Sequence, residues 1–392
     1  MDPFKIDHQA RITPTAVRRI RRGHLWIYAG EWEDEPEDAD PAIVQVVDSA
    51  RNALGYAFYS RKSQIRLRLF SRELEPPSPE FFRARVKSSI ARRRAEFGAS
   101  SACRLIFGEG DLLPGIIVDR YADYVVLQTM SRSTDALKSM LVDLLREEIR
   151  PRGILERNDV KVRRLEGLEE NRGVLWGDVP DEIEIVEDGI RFIVDLLHGQ
   201  KTGFFLDQSQ NRRAARNHAS GQALDCFTNT GAFALQFASK CDSVLAVDIS
   251  SDSLAMARRN GGLNGFANVD YIEANAFDFL RELDGREQSF DVINLDPPAF
   301  AKNRKALAGA RSGYKEINLR ALKLLKPEGI LITSSCSYHM LESDFFDLLC
   351  EAARDCHRYI QVIERRGQAS DHPVLAGMPE THYLKCFILR AL

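Results

Sequence analysis

The chain has 392 residues, 44% hydrophobic and 28% charged, with a formal net charge of −3. That length calls for two or three domains with their own cores, and that balance excludes both a disordered chain and a globally basic binder. No uninterrupted apolar run approaches the roughly 18 residues of a membrane helix, and Met1-Asp2-Pro3-Phe4-Lys5-Ile6-Asp7 lacks a signal peptide's apolar core, so a cytoplasmic location is expected.

Residues 1–73 read as all-β. Ile43–Val47, Ala53–Tyr59 and Ile65–Phe70 are short alternating runs between polar breaks, with an acidic loop from Glu31 to Asp40. In the last run Arg66 and Arg68 share one face, which makes them candidate phosphate contacts. The first 104 residues hold 19 Lys and Arg against 14 Asp and Glu, so the basic excess sits at the front. Glu75-Pro76-Pro77-Ser78-Pro79 is a linker and helix start, followed by Phe82, Val86 and Ile90 on one face.

The segment to residue 190 reads strand, strand, helix, strand, strand: 116–118, 124–128, a helix near 134–149, 173–176 and 183–186. From about 190 the pattern alternates between strand and helix. Strands are expected at 222–227, 243–249, 269–272, 290–295, 329–335 and 384–390. Helices are expected near 207–218, 231–240, 252–260, 312–325 and 342–354. The predicted class is α/β, a doubly wound sheet whose ligands bind beyond the carboxyl ends of its strands.

Those ends carry the chemistry. Ala223-Leu224-Asp225-Cys226-Phe227-Thr228-Asn229-Thr230-Gly231 is a strand and a turn with one glycine, which argues against a dinucleotide cradle. The second strand ends in Asp248, a carboxylate suited to ribose hydroxyls. Glu273-Ala274-Asn275-Ala276 offers an amide at the third tip. The fourth strand ends in Asp296-Pro297-Pro298-Ala299-Phe300, and the fifth in Ser334-Ser335-Cys336-Ser337. A thiol and a carboxylate at neighbouring tips read as a nucleophile beside an orienting group. The other cysteines (Cys103, Cys226, Cys241, Cys350, Cys356 and Cys386) form neither zinc-type pairs nor a disulfide framework.

A single-glycine first turn, an acid on the second strand, a polar third tip and Asp-Pro-Pro at the fourth resemble class I S-adenosylmethionine methyltransferases. The likeness narrows with Lys201-Thr202-Gly203-Phe204-Phe205-Leu206-Asp207-Gln208, Leu113-Pro114-Gly115-Ile116-Ile117-Val118-Asp119-Arg120, Glu156-Arg157-Asn158-Asp159 and Asp371-His372-Pro373-Val374. Together with Arg22-Gly23-His24-Leu25-Trp26-Ile27-Tyr28-Ala29-Gly30, these resemble bacterial 23S rRNA (cytosine-C5) methyltransferases of the RlmI type.

The resemblance implies three domains. They are a small PUA-like β-barrel that binds RNA (1–73), a linker helix with a central α+β (EEHEE) domain (74–190), and a Rossmann-like methyltransferase domain (191–392). It implies S-adenosyl-L-methionine as cofactor, held by Gln208, Asp225, Phe227, Asn229 and Gly231 on one side. Asp248, Ile249, Asn275, Ala276 and Asp296 hold it on the other. Asn275 stands where the family usually has Asp. The implied partner is 23S rRNA or a large-subunit precursor, without a membrane, and a homodimer is the assembly considered.

The implied reaction is methylation of cytosine C5, with Cys336 adding to C6 and Asp296 holding the base edge. Pro297 and Phe300 join Arg66 and Arg68 on the substrate side. His339, Asp371, His372 and His382 are candidates for the base that removes the C5 proton. Two other readings stay open: an exocyclic-amine methyltransferase that needs no thiol, and a non-catalytic RNA-binding assembly factor.

Overall fold

The computed structural model describes residues 4–35, 42–98, 100–301 and 304–392. Part of the acidic stretch read as a loop, residues 36–40, lies outside the described residues. The chain divides into two compact units. One holds Met1–Ile185, Val194–Leu206 and Ser370–Thr381; the other holds Val186–Ile193, Asp207–Ala369 and His382–Leu392.

The first unit begins with β1 (Gln9–Arg11), α1 (Pro14–Arg21), β2 (Trp26–Tyr28), β3 (Ile43–Val47), β4 (Ala53–Tyr59) and β5 (Ile65–Ser71). The five strands form one sheet in the order β1-β3-β4-β5-β2. The helix α1 departs from the all-β expectation. Thr13 caps it by accepting from the Ala16 N–H, Pro14 opens it, and Ala16, Val17 and Ile20 are buried. Arg18, Arg19 and Arg21 crowd its eight residues and hide so short an apolar stripe in the sequence.

α2 (Pro79–Phe97) follows as expected, with Ser78 accepting from the Phe81 N–H at 3.3 Å and with Phe82, Val86 and Ile90 buried. The central sheet comprises β6 (Ala102–Phe107), β7 (Ile116–Tyr121), β8 (Tyr124–Thr129), β9 (Gly153–Arg157) and β10 (Arg172–Gly177), in the order β10-β9-β8-β7-β6. Between β8 and β9 lie α3 (Arg132–Ala136) and α4 (Lys138–Ile149), and α5 (Val162–Leu165) precedes β10.

β6 and β9 are additions to the expected pattern. The 183–186 run leaves this sheet for a separate hairpin, β11 (Glu182–Glu187) with β12 (Ile190–Asp195), turned by Asp188 and Gly189 at φ 52° and 85°. One apolar cluster joins Phe58 and Phe70 of the first sheet, Phe82 and Val86 of α2, and Leu105, Val118 and Leu127 of the central sheet.

The second unit contains α6 (Ser209–Asn217), β13 (Gln222–Cys226), α7 (Ala232–Ala238), β14 (Ser243–Asp248), α8 (Ser251–Leu263), β15 (Val269–Glu273) and α9 (Ala276–Gly285). It continues with β16 (Phe290–Leu295), α10 (Leu307–Leu324), β17 (Leu325–Ser335), α11 (Glu342–Asp355), β18 (Ile360–Arg366) and β19 (Lys385–Ala391). The sheet order is β15-β14-β13-β16-β17-β19-β18. β13 through β17 run parallel to one another, and β19 is antiparallel to β17 and β18.

The chain starts in the middle at β13, winds outward to β15, then returns to β16. The reversal opens a crevice between the tips of β13 and β16. α9 and β18 are the two elements here that the sequence reading lacked. Among the described residues, no helix is long and apolar enough to cross a membrane.

Candidate active site at the carboxyl ends of β13 to β17

The β13–α7 turn is built from left-handed residues. Phe227, Asn229 and Gly231 have φ of 64°, 52° and 87°. Such a turn exposes main-chain groups at a helix start. Gly231 suits it twice over: it bears the positive φ without strain, and a Cβ there would come within 3.2 Å of the Ala257 Cβ.

Asp225 supports this turn from below rather than reaching a ligand. Its side chain is fully buried, accepting from Thr228 Oγ1 at 2.6 Å and from Asn294 Nδ2 at 2.8 Å. Burial raises its pKa to about 7, against the opposing pull of those two hydrogen bonds. The Asp225 carboxylate is therefore engaged in shaping the loop that is expected to hold the cofactor.

Asp248 ends β14. Its Oδ2 accepts from the Asn229 N–H at 2.9 Å and its Oδ1 from the Ser250 N–H at 2.9 Å, which ties the first two tips together. Ile249 beside it is 68% exposed. An apolar side chain left in water next to an oriented carboxylate is a natural surface for a flat heterocycle above its sugar. Asn275 is exposed and caps α9, accepting from the Phe277 N–H at 2.9 Å, while the Ala276 side chain is buried.

The fourth and fifth tips meet. Cys336 Sγ lies 3.9 Å from the Pro297 carbonyl oxygen, and the Ala301 N–H donates to Ser337 Oγ at 3.2 Å. The Tyr314 hydroxyl is 3.0 Å from the same Ser337 Oγ. The thiol is half-buried on a tip whose neighbours Ser335 and Ser337 are fully buried. Asp296 is oriented from α6's side: Gln208 Nε2 donates to its Oδ1 at 2.8 Å.

Asp225, Phe227, Asn229, Gly231, Asp248, Ile249, Asn275, Asp296, Gln208 and Cys336 thus all stand on one unit, at the carboxyl ends of β13–β17, on the turns after them or just before α6. Pro297 is buried, and Phe300 is half-buried, with ring centroids 4.6 Å from Tyr314 and 5.7 Å from Phe277. Phe300 therefore packs the loop that carries Asp296.

The strand arginines are corrected. Arg68 is 7% exposed, and its Nη2 donates to the buried Glu166 carboxylate at 2.7 Å. Arg66 is held by Glu35 at 2.9 Å and by the carbonyls of Arg61 and Ser63. Alternation placed both on one face, but Arg68 is covered there, and Arg66, still partly exposed, is already committed to Glu35 and two carbonyls.

The candidates for the base divide between the two units. Asp371 and His372 belong to the first unit and are buried against each other at 2.7 Å, with Asp371 accepting from the Arg104 N–H at 2.8 Å. They brace that unit's core. His339 and His382 remain on the second unit and are half-buried.

The sequence reading missed Lys385, Ser337, Tyr314 and Asn294 around these tips. Lys385 carried a signal, since it is a lone charge opening the apolar run Cys386-Phe387-Ile388-Leu389. Asn294 is likewise the one amide in the buried strand β16.

Comparison with known proteins agrees with this geometry. Residues 10–72 match the PUA-like domain family, and residues 168–389 match the S-adenosylmethionine-dependent methyltransferase family. A ribosomal RNA large subunit methyltransferase I from Tolumonas auensis is 40% identical over 389 residues, covering 96% of this chain and 97% of that protein. Its counterpart from Photobacterium profundum is 40% identical over 382 residues, covering 94% and 96%. A putative SAM-dependent methyltransferase from Streptococcus mutans shares the fold at 22% identity with a TM-score of 0.82, covering 98% of this chain and 100% of that one. A putative methyltransferase solved in complex with SAH does so at 23% identity and 0.84, with the same coverage.

Proposed function

The chain belongs to the ribosomal RNA large subunit methyltransferase I family, and we propose from that premise that it methylates C5 of a cytosine in 23S rRNA through a transient Cys336–C6 bond. The observation that carries the reading is the meeting of two tips, with Cys336 Sγ 3.9 Å from the Pro297 carbonyl directly after Asp296.

The enzyme is S-adenosylmethionine-dependent, as its family is. The donor set fits that cofactor: a turn of positive-φ residues for its polar end, the Asp248 carboxylate for ribose, and the exposed Ile249 and Asn275 for adenine. When bound, S-adenosylmethionine supplies a methyl group as an electrophile on a positively charged sulfur.

C5 of a cytosine is a poor nucleophile. The Cys336 thiolate adds to C6, which gives C5 enamine character and lets it accept an electrophilic methyl. Asp296, oriented by Gln208, holds the N3/N4 edge and favours the N3 proton that eases the addition. Loss of the C5 proton to a base then expels the thiolate and restores the ring. For a base inside folded RNA, unstacking costs a few kcal/mol, offset by contacts in the pocket. The PUA-like segment, residues 10–72, is the proposed RNA-holding module, with neither Arg66 nor Arg68 as its phosphate contact.

The Asp296-Pro297-Pro298-Ala299-Phe300 tip also suits methylation of an exocyclic amine, in which Cys336 would be a bystander. Mass spectrometry of rRNA from a deletion strain complemented with wild type or Cys336→Ala separates the two. One 5-methylcytidine should vanish in the deletion and return only with wild type. Return with Cys336→Ala, or a lost methylated amine, would overturn the C5 reading.

A further inference from the structure

Lys385 opens β19 at the position paired with Ser335, one residue before the nucleophile. It is 3% exposed. Its Nζ donates to the Ser337 carbonyl at 2.7 Å and to the Tyr383 carbonyl at 2.9 Å, so it grips the strand tip on the far side of Cys336. Among the described residues no carboxylate lies within ion-pair distance of it. A buried ammonium satisfied only by carbonyls is poorly compensated, and a Leu or Met there would extend the apolar run at lower cost.

The neighbouring groups whose negative charge the lysine feels are the Cys336 thiol, when ionised, and the Glu342 carboxylate. Burial lowers the lysine's pKa to about 8, while the Cys336 sulfur and Glu342 push it back up. Such coupling is mutual: an ammonium that feels the thiolate favours the thiolate. The other titratable groups at this tip are Glu342 in the first turn of α11, Tyr314 from α10, whose hydroxyl meets Ser337, and Asp296 at the end of β16.

We propose that Lys385 is a positioning residue for Cys336, fixing the 335–337 tip through the Ser337 carbonyl and favouring the thiolate form of the sulfur. The inference rests on the nucleophile reading above. It accounts for a charge that the fold would not otherwise keep inside β19. No oxidant or further reactant enters: the thiol gives its proton to solvent, and the ammonium stabilises the charge left behind.

The test is the pH profile of Cys336 alkylation by iodoacetamide, read on the Cys336 peptide by mass spectrometry, which separates it from the exposed Cys350. In Lys385→Met the midpoint should rise by about one pH unit or more, and Lys385→Arg should recover most of that shift. An unchanged midpoint in Lys385→Met that still binds S-adenosylmethionine calorimetrically would overturn the proposal. If Lys385→Met does not fold, the wild-type profile decides. A midpoint below the ordinary thiol value of about 8.5 supports the pair, and one at or above it refutes the pair. Alkylation involves neither RNA nor methyl transfer. A failure here is therefore distinguishable from a failure of the C5 assignment, which the rRNA analysis reads separately.

Discussion

Gln208 Nε2 donates to Asp296 Oδ1 at 2.8 Å, and Gln208 is itself anchored, its Oε1 accepting from Asn211 Nδ2 at 2.7 Å. Asn211 in turn donates to the Gly367 carbonyl at 2.9 Å and accepts from Arg366 Nε at 2.9 Å. A segment just before α6 thus sets the orientation of the Asp296 carboxylate, the proposed holder of the base edge, through a buried amide relay. Gln208→Leu keeps the volume and Asn211's other bonds but frees Asp296 to rotate. We expect kcat/KM for RNA to fall about ten-fold, the worth of one hydrogen bond to a charged group, with a melting temperature near wild type. Single-turnover kinetics with saturating cofactor reads it; a variant with full activity removes Gln208 from the site.

Asp225 makes stability depend on pH in a definite direction. Its folded pKa of about 7 lies above the ordinary value of 3.8. Between those values the folded chain keeps a proton that the unfolded chain has released, so stability falls as pH rises through this window and the loss is complete above about pH 7. Asp225→Asn lacks that dependence. Relative to the variant, wild type should lose up to about 1.4 kcal/mol per pH unit across the steep part of the window, measurable by urea unfolding at pH 5, 6 and 7. Parallel pH profiles would show that the carboxyl is ionised in the fold throughout.

Gly231→Ala tests the turn itself. The substituted Cβ would press on Ala257, and φ of 87° carries a left-handed cost of about 1 kcal/mol for a residue with a side chain. Because this strain falls on the β13–α7 turn, cofactor affinity should drop several-fold while the global unfolding midpoint moves little. Calorimetric titration with S-adenosylmethionine checks it, and unaltered affinity would separate this turn from the cofactor.

How far these features were legible in the sequence follows from where polar atoms sit. The five tips were readable because each closes an apolar run: Asp225, Asp248 and Asp296 directly follow Leu224, Val247 and Leu295, and Asn275 and Cys336 lie just past the runs that end at Ile272 and Ile332. β9 was not, since Glu156 and Arg157 are charged yet buried in it. β18 was not, because as an edge strand it alternates Gln361, Glu364 and Arg365 with few apolar residues. Lys385 was passed over as the start of a strand because its significance depends on register, the pairing with Ser335, which no local pattern encodes. The same gap misplaced Arg68, whose partner Glu166 lies 98 positions away.

That buried pair makes the last prediction. Arg68 meets Glu166 within the first unit, and Ser60 Oγ donates to the same carboxylate. Removing one partner leaves an uncompensated buried charge, so Glu166→Leu should destabilise by about 3 kcal/mol or more, whereas Arg68→Met/Glu166→Leu should recover much of that loss. A phosphate-contacting arginine would behave differently. Its loss would reduce the salt dependence of RNA binding by about one unit of slope, whatever happened to stability. The double variant should therefore keep the wild-type slope in filter binding across 50–200 mM salt. A shallower slope would return Arg68 to the RNA surface, and it would mean that the pair with Glu166 opens when RNA binds.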